Sequence, residues 1–264
     1  MPLGNPQVGE LTAAAGTSRY GEWRDHSDGS LKMYEAPLPG TSYVIGADVA
    51  EGLEHGDFSS AHVIDVGSMS VVAHWHGHVA PDLFGEVLAR LGYFYGTALV
   101  GVEVNNHGLT TCTALQRLRY PRIYYRTSID QQTKKRSKKV GWRTQQNTKP
   151  YLIDQLARVL RGEKTIGEDG KAEWSGGLAV RDERTISELR LFVREPDGKS
   201  MHGSPHDDRV ISLGIAVEMM NFAHAPQFNV RGYEDEWTLD WWAGTIPDPS
   251  RQPGMLIGAH SVRR

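Results

Sequence analysis

The chain is predicted to fold as an α/β domain, a mixed central sheet flanked by helices. Three observations predict it. Apolar runs of strand length stand at Tyr43–Asp48, 61–66 and 71–78, and the Gly67-Ser68 turn joins the last two as an antiparallel hairpin. Beyond them, apolar residues recur at helical spacing, as in Leu83, Phe84, Val87, Leu88 and Leu91, with a further apolar run between such segments. Finally, 210–220 is apolar almost all round, which suits a helix deep in the core. A hairpin followed by alternating helices and strands mixes antiparallel and parallel pairing in one sheet.

Residues 1–40, rich in Gly, Pro, Ser and charge, are expected to form a largely irregular arm, 41–223 the folded domain, and 224–264 a tail. The run 43–48 is apolar on both faces and suits a central strand. Pro81 and Asp82 open the first helix. A strand over 99–104 carries Glu103, a helix follows over 108–118, and another strand over 122–126. Segment 131–143 is basic, lacks a core-forming pattern and reads as a hairpin or loop. Thr148 and Pro150 start a helix whose buried stripe is Leu152, Ile153, Leu156, Val159 and Leu160. A Gly-rich excursion spans 162–177. Ile186, Leu189 and Phe192 belong to a short mixed helix and strand, and Pro196-Asp197-Gly198 to a turn. Ser204 and Pro205 are read as the cap and first position of the last helix. The Trp237, Trp241 and Trp242 cluster of the tail either docks on the domain or meets a partner.

The 264 residues allow one large domain with tails, and 39% hydrophobic and 23% charged residues are ordinary for a globular protein. No apolar run approaches the roughly 20 residues needed to span a membrane. No basic-then-apolar leader opens the chain. Cys112 is the sole cysteine, read as a small buried residue, which excludes an intrachain disulfide and a cysteine-rich zinc site and points to an intracellular setting. The net charge of −3 hides an asymmetry: 117–149 is crowded with Lys and Arg against Asp130 as its sole acid. A basic stripe on an otherwise acidic chain suggests that a polyanion meets one face.

Asp48 and Glu103 each close an apolar strand, and Asp207 and Asp208 open the last helix. Read singly, Asp48 would cap a turn and the helix pair would complement the helix dipole. Glu103, between Val102 and Val104, needs a partner. Together, carboxylates from three elements repel unless a cation neutralises them, and oxygen-only donors favour Mg²⁺ or Mn²⁺. Asn105 would orient Glu103 or a bound water. His206 would approach a phosphate or merely occupy the helix start, with His107 a weaker counterpart. His74, His76 and His78 share one strand face but lack a ligand to complete a zinc site, so a solvent-facing edge is expected. Trp142 would either stack on a base or anchor its loop. No Gly-x-Ser-x-Gly elbow is present.

Four stretches, YVIGADVAEG with GDFS, VEVNNHG, GWRTQQNTKPYLI and SPHDDRVISLGIA, resemble in this order the nuclease domain of the large terminase subunit of tailed double-stranded DNA bacteriophages. The resemblance runs from about Tyr43 to Met220. It implies a ribonuclease H-like fold and metal-dependent cleavage of concatemeric viral DNA during packaging; since nothing in the chain resembles a base-reading motif, little sequence specificity is expected. It also implies that Asp48 bridges two Mg²⁺ or Mn²⁺ ions once DNA is bound, that Glu103 and Asp208 complete the ligands, and that Asp207 assists. Gly141 and Lys149 fall where that family packs and contacts the approach to its site. Lys134, Lys135, Arg136, Lys138, Lys139, Arg143 and Lys149 would then hold DNA by its backbone. The implied partners are double-stranded DNA, an ATPase motor domain, the small terminase subunit and the portal, acting at the procapsid in the host cytoplasm. The chain departs from the complete family protein because Gly198-Lys199-Ser200 lacks the earlier glycine of a phosphate loop, Val193 standing there. It is expected to cut DNA without pumping it. Two other readings stay open: a Holliday-junction-resolvase-like nuclease, and a non-catalytic docking module of the packaging motor.

Overall fold

The computed structural model describes residues 5–13, 20–53, 56–129, 136–166, 172–191, 193–194, 201–202 and 207–223. In chain order the elements are β1 (Gln7–Ala13), β2 (Gly21–Asp25), β3 (Leu31–Met33), β4 (Tyr43–Asp48), β5 (Ser59–Asp65), β6 (Ser70–Gly77), α1 (Pro81–Phe94), β7 (Leu99–Val102), α2 (Gly108–Arg117), β8 (Tyr125–Ile129), β9 (Arg136–Val140), α3 (Thr148–Arg161), β10 (Glu163–Ile166), β11 (Ala172–Ser175), α4 (Glu183–Leu191), β12 (Val193–Arg194), β13 (Met201–His202) and α5 (Asp208–Met220).

Seven strands form one sheet in the order β2-β1-β3-β6-β5-β4-β7. β4 pairs antiparallel with β5 and parallel with β7, so the sheet is mixed. β5 and β6 are the hairpin expected from Gly67-Ser68. Because successive strand residues face opposite ways, β4 divides its side chains between two cores. Tyr43, Ile45 and Ala47 enter the core beneath α1 and α2. Val44 enters the core beneath α3 and α5. Gly46 shares that second face, and a Cβ there would overlap the Ala216 nitrogen and the Ser212 carbonyl of α5. The missing side chain is what lets α5 lie directly on β4. This explains why α5 is buried almost throughout, from Val210 to Met219.

Several expectations are corrected. Residues 1–40 do not form a largely irregular arm: β1, β2 and β3 extend the sheet outward from β6. Their side chains are mostly half-buried or exposed, so little hydrophobic alternation marked them. β6 is consequently an interior strand, with β3 and β5 on its two sides. The strand expected over 122–126 divides instead. Ile123 bridges Val100 beside β7, whereas Tyr125–Ile129 turns away to pair with β9 as a basic hairpin. The last helix begins at Asp208 with Asp207 at its N-cap. Ser204, Pro205, Phe192, the 196–198 turn, Gly198-Lys199-Ser200 and the tail 224–264 lie outside the described residues. No helix among the described residues is long and apolar enough to cross a membrane.

Candidate metal centre

The pleat and the register of β4 and β7 assemble the acids. Asp48 lies two residues beyond Gly46, hence on the same face, over which α5 runs. On β7 the equivalent face is marked by Gly101, where a Cβ would meet Met219 of α5, and Glu103 lies two residues beyond it. The parallel register opposes Ala47 to Val102. The Glu103 N–H extends that ladder by donating to the Ala47 carbonyl at 2.8 Å. Asp48 and Glu103 therefore emerge side by side at one sheet edge. Ser212 of α5 sits over Gly46, so Asp208, one turn earlier, reaches the same edge, and Asp207 precedes it.

The electrostatics report the convergence. The Asp48 carboxyl is pushed well above the ordinary carboxylate range. Burial is the main cause, followed by Glu103, through its charge and a side-chain hydrogen bond, and then by Asp208 and Asp207. A hydrogen bond between two carboxyl groups requires a proton on one of them. The surrounding acids have further partners: Asn105 Nδ2 donates to Glu103 Oε1 at 3.2 Å and to the Thr144 carbonyl at 2.8 Å. Lys149 Nζ pairs with Asp207 Oδ2 at 2.7 Å. Among the described residues, no group of three or more His, Cys, Asp or Glu side chains is placed so as to hold a metal ion. The donor set nevertheless suits a hard divalent ion, because every acid at this edge offers oxygen and a cation would offset their mutual repulsion.

A cleft of about 690 Å³ opens beside Val104 and Asn105, the residues that follow Glu103, and is lined further by Asn106, Leu109, Arg126, Lys139 and Arg143. Arg126 fastens the hairpin by donating to the carbonyls of Val140 and Gly141 at 2.6 and 2.8 Å. Gly141 then turns the chain with a φ of +73°, and a Cβ there would strike Val104. This turn feeds Trp142 into a bridge with Glu103. Trp142 is buried in the α5-side core, so it anchors the hairpin rather than presenting a stacking face.

The candidate nucleic-acid residues separate. Arg136, Lys138, Lys139 and Arg143 are exposed on or just after β9. Lys149 belongs instead to the acid cluster, through Asp207. Lys134, Lys135 and His206 lie outside the described residues. His107 Nε2 pairs at the surface with Glu51. Cys112 is buried, as expected, and burial raises its thiol to about 12.

Of His74, His76 and His78, His78 is exposed as expected and His76 is half-buried, but His74 corrects the expectation of a solvent-facing edge. His62 and His74 are buried, with rings stacked 4.1 Å apart. His62 Nδ1 and Ser60 Oγ each lie 2.9 Å from Ser212 Oγ of α5, and Ser60 Oγ is also 3.1 Å from His74 Nε2. His74 Nδ1 lies 3.5 Å from Asp182, which Lys32 and Thr185 also hold. Burial pushes His62, His74 and His76 down, His76 to about 3. Ser60, His74 and Asp182 lie in the order of a hydrolytic triad, but all three are sealed from solvent and meet no substrate. Sequence reasoning missed this network because its partners stand far apart in the chain, and a lone histidine in an apolar strand does not announce them.

Sheet order and the helix laid across β4 define a ribonuclease H-like α/β fold. Among solved structures, the chain is similar to the large terminase nuclease of thermophilic phage G20c. With bound magnesium the TM-score is 0.53 at 20% identity, covering 80% of this chain and 93% of that one. With bound cobalt it is 0.52 at 19% identity over the same shares. A further structure of that nuclease gives 0.50 at 20% identity, covering 80% and 94%. No protein-family model and no curated protein matches the chain. At these identities the likeness is one of fold.

Proposed function

We propose that the chain is a metal-dependent DNA endonuclease that cuts concatemeric viral double-stranded DNA during genome packaging. The observation that carries this reading is the convergence of Asp48, Glu103, Asp208 and Asp207 from three elements at one sheet edge, beside a basic cleft. The fold likeness to a nuclease whose structures contain magnesium or cobalt supports it.

In this reading Asp48, Glu103 and Asp208 would hold two Mg²⁺ or Mn²⁺ ions once DNA is bound, with Asp207 assisting. Bound there with DNA, such ions supply activation of the attacking water and neutralisation of the leaving oxygen. Asn105 holds the Glu103 carboxylate in place from the cleft side. Lys149 balances the charge of Asp207. Arg136, Lys138, Lys139 and Arg143, with Lys134 and Lys135, receive the phosphate backbone, which gives affinity with little reading of base sequence. The working partners are the DNA, an ATPase motor, the small terminase subunit and the portal, at the procapsid in the host cytoplasm.

Cleavage of supercoiled plasmid with Mg²⁺, Mn²⁺ or chelator tests the activity. Nicked and linear products are expected with either ion and none with chelator, and Asp48→Ala and Asp208→Ala should each abolish them. A folded wild type that cuts with neither ion would sink the claim that this chain is a nuclease by itself.

A further inference from the structure

Helix α5 begins with two acids, yet the N-cap side chain does not cap it: Asp207 makes no side-chain capping bond. The first backbone N–H groups find their acceptor on another helix. Glu188 of α4 accepts through Oε1 from the N–H of Arg209 at 3.0 Å and of Val210 at 3.2 Å. Capping is the usual task of a helix-opening aspartate, and here that task has passed to Glu188. Asp207 is thereby not turned back onto its own helix, and its carboxylate points to the Lys149 side of the acid edge.

Glu188 is itself fixed in place. It is buried, with a side-chain exposure of 6%, and its Oε2 pairs with Arg209 Nη1 at 3.1 Å. Arg209 Nη2 donates in turn to Nδ1 of His76, on β6, at 3.1 Å. One turn further along α5, Ser212 is tied to His62 and Ser60 of β5. The start of α5 is therefore gripped from α4, β5 and β6, all on the side away from β7 and Glu103. A helix can slide or roll along its axis even when its apolar face stays buried. These directed bonds oppose that freedom at the turn bearing Asp207 and Asp208.

We propose that Glu188 is a positioning residue of the metal centre, setting the height and rotation at which Asp207 and Asp208 meet Asp48. This rests on the metal-nuclease reading above. Groups that orient metal ligands from behind matter to affinity almost as much as the ligands themselves.

The test is a Mn²⁺ titration of the full chain, followed by the rise in thermal midpoint without DNA and by plasmid cleavage. It compares wild type with Glu188→Gln, Glu188→Ala and Leu156→Ala. Leu156 is a buried residue of α3 in the core shared with α5 and serves as the control for stability alone. Glu188→Ala is expected to need about ten- to a hundredfold more Mn²⁺ for the half-point of either readout, with most of the cleavage rate recovered at saturating ion. Glu188→Gln keeps an acceptor oxygen and should shift less, in the same direction. Leu156→Ala should lower the ion-free midpoint while leaving the Mn²⁺ half-point in place. If Glu188→Ala does not fold, Glu188→Gln decides by the same criterion. Glu188 variants whose half-points move no more than that of Leu156→Ala would overturn the positioning role alone. A wild type that neither gains stability nor cuts with Mn²⁺ would overturn the metal-centre reading and this one together.

Discussion

Asp48 stands where a carboxylate is hard to ionise: buried first of all, then flanked by Glu103, Asp208 and Asp207. A raised pKa means that the folded protein holds the proton more tightly than the unfolded chain does. The residue therefore costs nothing below the ordinary Asp value of 3.8, and destabilises increasingly as the pH climbs from there through the raised value. Asp48→Asn, with chelator present, should then melt above wild type at neutral pH, the gap closing as the pH falls toward 4. His62, His74 and His76 act with the opposite sign, because burial depresses them and acid must charge them on unfolding. They are common to both proteins and cancel in the difference, so melting curves against pH report on Asp48 together with the acids coupled to it. A gap that does not change with pH would contradict the strain ascribed to this residue. Divalent ion should narrow the gap by stabilising only the wild type.

At the scale of elements, the site depends on α5 lying directly on β4. Gly46→Ala would place a methyl group against the backbone of Ala216 and Ser212. The strain is expected to cost about 1–3 kcal/mol of unfolding free energy, as overpacking commonly does, and to weaken metal-dependent cleavage because Asp208 moves with the helix. Urea denaturation beside the cleavage assay checks both, and an unchanged midpoint would show that α5 yields without penalty. The placement of Asp48 and Glu103 at neighbouring strand ends was legible from their apolar runs, Glu103 most plainly because an acid between two valines needs a partner. The helices were legible from their spacing. β1 and β2 were not, because these outer strands carry half-buried, mixed side chains and resemble a polar arm, and β3, though it buries Leu31 and Met33, is only three residues long. Nor was the role of Glu188 legible: its acceptor function depends on α4 packing against a helix start about twenty residues later in the chain. The histidines misled for a related reason. His62 meets Ser212 across 150 residues and Thr185 across 123, pairings that only the fold creates.

Among the described residues, exposed bases on and after β9 lie near the acids at the ends of β4 and β7. The whole chain's net charge of −3 conceals this arrangement. The cleft lined by Arg126, Lys139 and Arg143 also takes in Asn105, which donates to Glu103. Such an arrangement suits a polyanion drawn along the basic residues until one of its phosphates reaches the acids. Replacing Lys138, Lys139 and Arg143 together by alanine should weaken binding to duplexes of any sequence. It should also reduce the slope of log K against log salt by about 1–3, roughly 0.9 for each phosphate no longer neutralised. All three side chains are exposed, so the melting temperature should stay within a degree or two of wild type. Fluorescence anisotropy across a salt series reads the slope. An unchanged slope would place the DNA elsewhere on the surface.

Anomalous scattering from a Mn²⁺-soaked crystal of the wild type locates any divalent ion held by the four carboxylates. A manganese peak in contact with Asp48, flanked by Glu103 and Asp208, is the expected result, and Asp48→Ala crystals should lack it. Cleavage-active crystals with no peak at that edge, or with manganese bound only at another place, would contradict the metal-centre reading.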